Sequence, residues 1–286
     1  MDLFELFKDA MRYKKVYHNY LHVMYRLRRI EPEVNVVLNT GQQKLLSRRI
    51  AMALPYFGER YQEQKEISEI LELLEKEIIR YKNCDIILHG LRDYGDVGGV
   101  FVRDEYSFLR VAGKTVIDIG ANIGDSSIYF MLNAAESVVA VEPSKELLRF
   151  AYRNVAENGF HNKIVLVNGL YGEEENPAIK SNKKEIESKL VDCTDSGNKA
   201  RTYSLEELLN LQSSNTAILK MDCEGCEYGL VTEKDDILRK FERMQIEFHG
   251  SPHLLVTRLE EVGFKVRFER NPAIRRLGYV YAELGN

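Results

Sequence analysis

The chain has 286 residues, of which 44% are hydrophobic and 29% charged, and its formal net charge is −4. This composition excludes an intrinsically disordered chain, and the charge gives no global reason to expect a nucleic-acid partner. Because the sequence contains neither a run of eighteen apolar residues nor a basic segment before an apolar core, we expect no membrane span, no signal peptide and a cytoplasmic location.

Residues 1–82 are predicted to form an N-terminal helical region, with apolar residues at helical spacing in three segments, 1–30, 42–53 and 60–82. In the first segment, basic residues alternate with tyrosines. Such a pattern can bind nucleic acid or an anionic substrate, or can be the solvated face of a helix over a tyrosine-rich contact. The region could cap an active site, form a homodimer interface or pack against the sheet that follows.

Residues 83–114 change in character and are predicted to form a β-hairpin or linker into the catalytic core. Short apolar runs at 85–88 and 100–102 are separated by glycines, which favours two strands. Tyr106 lies just before the core, where it could approach a cofactor or substrate or simply pack.

Residues 115–286 alternate between strand and helix patterns. Strands are predicted at 115–119, 137–141, 163–167, 216–221 and 244–248, with two antiparallel closing strands at 264–268 and 279–283. This alternation predicts an α/β fold with a mostly parallel, Rossmann-like sheet, whose ligands bind at the carboxyl ends of the strands. Residues 173–199 are polar and are predicted to be a surface insertion.

The first strand of this region leads into a glycine turn, and an acid closes the second strand. The candidate cofactor-binding residues are Asp118, Gly120, Ala121, Asn122, Gly124, Asp125, Glu142, Asn168 and Asp222. A dinucleotide turn needs a glycine where Asn122 stands, and the carboxylate of Asp118 would repel a diphosphate. The turn suits a cationic ligand such as S-adenosylmethionine, with Glu142 accepting hydrogen bonds from the ribose and Asn168 either contacting adenine or serving as a turn residue.

Acids and a histidine lie at the ends of the predicted strands 216–221 and 244–248. The candidate catalytic residues are Asp222, Glu224, Glu227 and His249. Asp222 is predicted to face the methyl donor or the substrate nucleophile, while Glu224, Glu227, Glu247 and His249 are candidates for binding substrate. His249 is the candidate general base, because its ordinary pKa lies near neutrality, although it could merely cap a strand.

Two of the four cysteines, Cys223 and Cys226, lie within this acidic segment. Their Cys-x-x-Cys spacing invites zinc or redox chemistry, but it lacks the second pair that a zinc site needs, and four cysteines are too few for a disulfide framework. We therefore expect reduced thiols and no metal.

Four segments of the sequence resemble the FkbM family of S-adenosylmethionine-dependent methyltransferases. They are residues 116–125, 141–143, 220–227 and 246–249, and the resemblance runs from about residue 95 to the C-terminus. It implies a methyltransferase variant of the Rossmann sheet, with residues 222–227 beside the transferred methyl group. It also implies O-methylation of a hydroxyl on a sugar, glycan or polyketide-like molecule.

Two other functions remain open from the sequence. A nicotinamide-dependent oxidoreductase could use the same fold, although the missing middle glycine argues against it. A catalytically silent adaptor or RNA-binding protein could instead work through the basic N-terminal helices, and its binding would then depend steeply on salt.

Overall fold

A computed structural model describes residues 3–61, 67–172, 201–212, 216–271 and 276–285. The chain forms two compact units, Met1–Glu105 and Tyr106–Asn286. The predicted insertion at residues 173–199 lies outside the described residues. Among the helices of the described ranges, none combines the length and hydropathy that a bilayer crossing requires.

The first unit mixes helices with two short antiparallel hairpins. Its elements are α1 (Leu3–Val16), α2 (Tyr20–Arg28), β1 (Glu33–Val37), β2 (Gln43–Ser47), α3 (Arg48–Tyr61), α4 (Ile67–Glu75), β3 (Ile78–Tyr81) and β4 (Cys84–Ile87). β1 pairs with β2, and β3 pairs with β4. The region predicted to be helical therefore also contains strands.

Two local predictions in this unit were wrong. The helix expected at 42–53 begins as strand β2, and α3 then continues through Pro55 to Tyr61. An interior proline costs a helix about 3 kcal/mol, but burial of Ile50, Leu54 and Phe57 on the same helix offsets that cost at roughly 1.5–3 kcal/mol each.

The strand expected at 100–102 is a π-helical turn, Gly98–Val102. The Asp96 carboxylate accepts a hydrogen bond from the Gly99 amide at 3.0 Å, and the Arg103 amide donates to the Gly98 carbonyl at 3.0 Å. Such local side-chain-to-backbone bonds compete with strand pairing.

The second unit is built on an eight-stranded sheet. Its strands are β5 (Thr115–Ile119), β6 (Ser137–Glu142), β7 (Ile164–Tyr171), β8 (Arg201–Tyr203), β9 (Ala217–Met221), β10 (Phe241–His249), β11 (Phe264–Arg270) and β12 (Leu277–Leu284). The order across the sheet is β11-β12-β10-β9-β5-β6-β7-β8. β12 runs antiparallel to both of its neighbours. The other neighbouring strands, β10, β9, β5, β6, β7 and β8, are parallel to one another. The predicted Rossmann-like sheet is confirmed.

Helices follow the strands of this unit, as the alternation predicts. They are α5 (Asp125–Leu132), α6 (Lys145–Glu157), α7 (Leu205–Leu209), α8 (Asp235–Leu238) and α9 (His253–Val262), with a 3-10 turn at Cys226–Val231. All residues of β5 and β9 are buried, as expected for central parallel strands covered on both faces. The carboxyl ends of β5, β6, β9 and β10 consequently lie side by side.

Candidate functional site

The turn between β5 and α5 is shaped by two glycines in left-handed conformations. Gly120 has φ 79° and Gly124 has φ 82°. A Cβ atom on Gly120 would lie 1.7 Å from the backbone oxygen of Asp222, so any other residue would force β9 away from β5. Gly120 therefore brings the turn after β5 and the acidic segment after β9 into direct backbone contact.

Four backbone amides of this turn are committed to the protein itself. The Gly120 and Ala121 amides both donate to the Val141 carbonyl at 3.0 Å, and the Gly124 amide donates to the Ala121 carbonyl at 2.8 Å. The Asn122 amide donates to a Glu142 carboxylate oxygen at 2.9 Å. A diphosphate-binding turn presents such amides to its ligand, so the donor set here fits an uncharged or cationic ligand better than a diphosphate.

Asp118 does not present an uncompensated charge, contrary to our expectation that it would attract a cationic ligand. It is fully buried, and one oxygen accepts hydrogen bonds from the Ser126 and Ser127 hydroxyls at 2.6 Å each. The Lys220 ammonium lies 3.0 Å from the other oxygen. Because this ion pair already neutralises the carboxylate, Asp118 ties β5 to α5 and β9 instead of facing a ligand.

Lys220 is a site residue that the sequence reasoning missed. Its ammonium also donates a hydrogen bond to the Gly120 carbonyl at 2.6 Å and so links β9 to the turn after β5. Burial disfavours its charge, but the charges of Asp118 and Asp222 outweigh burial and raise the pKa of Lys220 above 10.5. A lysine inside the apolar strand β9 was the available signal, since a buried ammonium requires a partner.

Tyr106 is 5% exposed and packs edge-on or tilted against Tyr129 and Phe130, with ring centroids 6.3 and 5.6 Å away. The Lys220 ammonium lies 5.8 Å from the centre of its ring. These contacts fit the packing alternative for Tyr106 and give no support to a substrate contact.

Glu142 lies at the carboxyl end of β6, and both of its oxygens receive backbone amides. One accepts from Ser144 at 2.8 Å and the other from Asn122 at 2.9 Å. Burial raises the pKa of Glu142 to about 7, although these hydrogen bonds and the charge of Lys220 act in the opposite direction. A carboxylate offers about four acceptor positions, so two more donors such as ribose hydroxyls can be accommodated.

Asn168 and Asp125 flank this carboxylate and the turn. The Asn168 side-chain amide donates to the Glu142 and Pro143 carbonyls at 3.1 and 3.0 Å, so only its oxygen can contact a base. Asp125 is buried at the first position of α5, where its carboxylate accepts from the Ser126 amide at 3.0 Å. A negative charge at this helix end would further disfavour a phosphate.

The structure assigns Glu227 a different role from the predicted binding of substrate hydroxyls. Its side chain is fully buried, and one oxygen accepts from the Gly225 amide at 2.7 Å. The other accepts from the His249 amide at 2.9 Å and lies 3.2 Å from the His249 Nδ1 atom. Because the side chain is buried and two of these contacts are to His249, Glu227 orients His249.

His249 is held with Nδ1 toward Glu227 and Nε2 toward the more open side of the site. Nε2 lies 3.6 Å from a Glu224 carboxylate oxygen, and the side chain is 18% exposed. Burial disfavours the imidazolium, but the hydrogen bond and charge of Glu227, with the charges of Glu224 and Asp222, raise the pKa of His249 above 6.5. A ring whose Nδ1 hydrogen is directed to a carboxylate presents an Nε2 lone pair, the arrangement of a general base.

The other residues predicted to contact the substrate or the methyl donor differ in their exposure. Asp222 is half-buried, and its amide donates to the Ile119 carbonyl at 2.9 Å. Glu224 has φ 56° and its side chain is 61% exposed, whereas Glu247 is half-buried on β10. Asp222 and Glu224 therefore remain close to His249, and a contact of Glu247 with substrate remains a prediction.

The expectation of reduced thiols was wrong for the acidic segment, because Cys223 and Cys226 form a disulfide. Gly225, with φ 122°, permits the tight turn that brings cysteines three residues apart together. The Cys-x-x-Cys spacing is compatible with this local disulfide, which the missing second pair does not exclude. Cys84 is free and exposed.

Comparisons with known proteins agree with the geometry of the sheet and turn. The model of the methyltransferase FkbM domain matches residues 118–277, more than half of the chain. An uncharacterized protein, 158B, of Sulfolobus islandicus rod-shaped virus 1 is 26% identical over 144 residues, which are 50% of this chain and 66% of that protein.

Solved structures resemble the chain more distantly. The precorrin-6y C5,15-methyltransferase of Geobacter metallireducens aligns with 64% of this chain and 86% of its own, at 16% identity and a TM-score of 0.40. The magnesium protoporphyrin IX methyltransferase of Synechocystis aligns with 64% of this chain and 77% of its own, at 13% identity and a TM-score of 0.37. Neither likeness bears on substrate or mechanism.

Proposed function

Because this chain belongs to the methyltransferase FkbM domain family, we propose that it transfers a methyl group from S-adenosylmethionine to a hydroxyl of a sugar, glycan or polyketide-like acceptor. The observation that carries the proposal is the contact between Glu227, in the 3-10 turn after β9, and His249, at the end of β10. In the sheet, β9 separates β10 from β5, the strand that leads into the cofactor turn. A hydroxyl is a weak acid, so its methylation benefits from a positioned base.

The cofactor side of the site consists of the turn after β5, Glu142 and Asn168. When bound, S-adenosylmethionine supplies an electrophilic methyl group on a sulfonium. Glu142 would accept hydrogen bonds from ribose hydroxyls, and the Asn168 oxygen would be available to the adenine amino group. Lys220 and Asp118 do not touch the cofactor in this proposal, since they hold the turn in place.

The acceptor side consists of His249, Glu227, Asp222 and Glu224. His249 Nε2 takes the proton of the attacking hydroxyl, and the buried Glu227 charge stabilises the imidazolium that forms. General-base assistance of this kind contributes roughly 10²–10⁴-fold, while alignment of the reacting atoms contributes the rest. Asp222 and Glu224 add negative charge near the ring, which favours proton uptake.

Calorimetric titration with S-adenosylmethionine, and separately with NAD, distinguishes this proposal from an oxidoreductase. We expect saturable binding of the first compound only, because the turn amides are committed within the protein. Labelled methyl donor with a panel of hydroxylated sugars and glycans then identifies the acceptor. Binding of NAD alone would overturn the proposal, and binding of neither would favour the silent adaptor. The homodimer interface and the cytoplasmic location remain predictions from the sequence.

A further inference from the structure

The disulfide between Cys223 and Cys226 lies against the pair of side chains proposed to take the acceptor proton. It encloses Glu224 and Gly225 and joins the end of β9 to the 3-10 turn Cys226–Val231. The Cys223 sulfur lies 3.8 Å from the Glu227 oxygen that also accepts from the Gly225 amide. The state of this sulfur therefore bears directly on the carboxylate that orients His249.

We propose that the Cys223–Cys226 disulfide is a reversible redox site whose reduction changes the hydrogen bonding of the Glu227–His249 pair. The proposal concerns the same residues as the proposed function, but it does not depend on which group the protein methylates. The relevant reductant is a dithiol. Cys223 is half-buried, whereas Cys226 is 6% exposed, so the reductant reaches the Cys223 sulfur.

The reduction is an exchange of two electrons and two protons. One thiolate of the dithiol attacks the Cys223 sulfur, the bond between the cysteines breaks, and Cys226 leaves as a thiolate that takes up a proton. The second thiolate of the reductant then attacks the mixed disulfide. Cys223 is released as a thiolate and is protonated in turn, and the reductant departs as its own disulfide.

Reduction gives Cys223 a hydrogen that the disulfide lacks. In the disulfide the sulfur has no donor for Glu227, whereas a thiol 3.8 Å away can donate to it. A donor to Glu227 weakens the negative field that the carboxylate exerts on His249, so the imidazolium loses part of its stabilisation.

Loss of the cross-link also reduces the stability of the His249 imidazolium. The groups that face His249 are Glu227 from the 3-10 turn, Glu224 from the enclosed loop and Asp222 from the end of β9. Glu224 is fixed near the ring by the loop that the disulfide closes. Opening this loop relaxes the contact, and the ring then releases its proton at lower pH.

The test combines thiol labelling with titration of the His249 ring by nuclear magnetic resonance. The full chain is prepared in oxidised buffer and after dithiothreitol, and the His249 signal is assigned by its absence from His249→Asn. We expect peptide mapping to show Cys223 and Cys226 blocked to alkylation before reduction and labelled after it. We also expect the His249 midpoint to shift to lower pH on reduction.

Two variants serve as controls. Cys84→Ser retains the response because Cys84 is free. The Cys223→Ser, Cys226→Ser double variant has a midpoint that dithiothreitol does not move. Alkylation of both cysteines in the oxidised sample, or equal midpoints in the two wild-type states, would overturn the proposal. Methyl transfer is scored separately, so its absence alongside the redox-linked shift would refute only the proposed function.

Discussion

Cofactor binding is expected to depend on pH through Glu142. Burial raises the pKa of this carboxyl from 4.5 to about 7, so a substantial part of it is protonated at neutral pH. Ribose hydroxyls donate hydrogen bonds and therefore favour the ionised form. Binding then lowers the pKa of Glu142, and affinity must rise as pH rises through the value of the free protein.

The size of the effect follows from that shift. If binding returned Glu142 to its ordinary pKa of 4.5, affinity would change by up to roughly 300-fold, since one pKa unit corresponds to a tenfold change. Affinity should be constant above about pH 8 and fall by at most tenfold per unit below about pH 7.

Calorimetry with S-adenosylmethionine between pH 5.5 and about 8.5, in buffers of different ionisation enthalpy, measures both the affinity and the protons released. Glu142→Gln should abolish the pH dependence. Replacing the exposed Glu146 by Gln, or His249 by Asn, should leave it in place. An affinity that is flat across this range in the wild-type protein would refute the assignment of Glu142 to the ribose.

The remaining predictions concern the residues that support the turn after β5. They are tested by measuring the free energy of unfolding through chemical denaturation. Gly120→Ala should lower the free energy of unfolding by on the order of 4 kcal/mol or more, because the new Cβ atom would lie 1.7 Å from the backbone oxygen of Asp222. Gly159→Ala is the matched control, since Gly159 has φ +78° but open space around it, and it should lower the free energy of unfolding by about 1 kcal/mol. Equal costs would contradict the close approach of β5 and β9. Lys220→Met should lower the free energy of unfolding by roughly 3–5 kcal/mol, because it leaves the Asp118 charge buried without its cation. Adding Asp118→Asn to Lys220→Met should restore part of that free energy. Strictly additive losses in the two single variants and the double variant would contradict the ion pair.

The sheet of the second unit was predictable because its signals are local. Each parallel strand is a short apolar run that ends at a turn, and the positions of β5, β6 and β9 follow from that pattern alone. The hairpins of the first unit were harder. In the five-residue strand β2, exposed Leu45 is followed by buried Leu46 and buried Ser47, so the strand shows no clean alternation.

The roles of the site residues depended on contacts between distant segments. Asp118 carries a charge whose partner, Lys220, lies about a hundred residues later, and Glu227 accepts from the His249 amide on a neighbouring strand. Sequence spacing placed these acids near one crevice but could not tell a carboxylate that meets a ligand from one already neutralised. On the cofactor side, Glu142 keeps an environment compatible with a ligand contact, whereas Asp118 is neutralised by Lys220.

A crystal structure with S-adenosylhomocysteine tests the central claim most directly, because the claim is that one crevice holds the cofactor and faces His249. The account predicts ribose hydroxyls hydrogen-bonded to Glu142 and the ligand sulfur on the side of the turn where Asp222 and His249 lie. Density for the ligand at another surface, or in this crevice with Glu142 making no contact to it, would contradict the account.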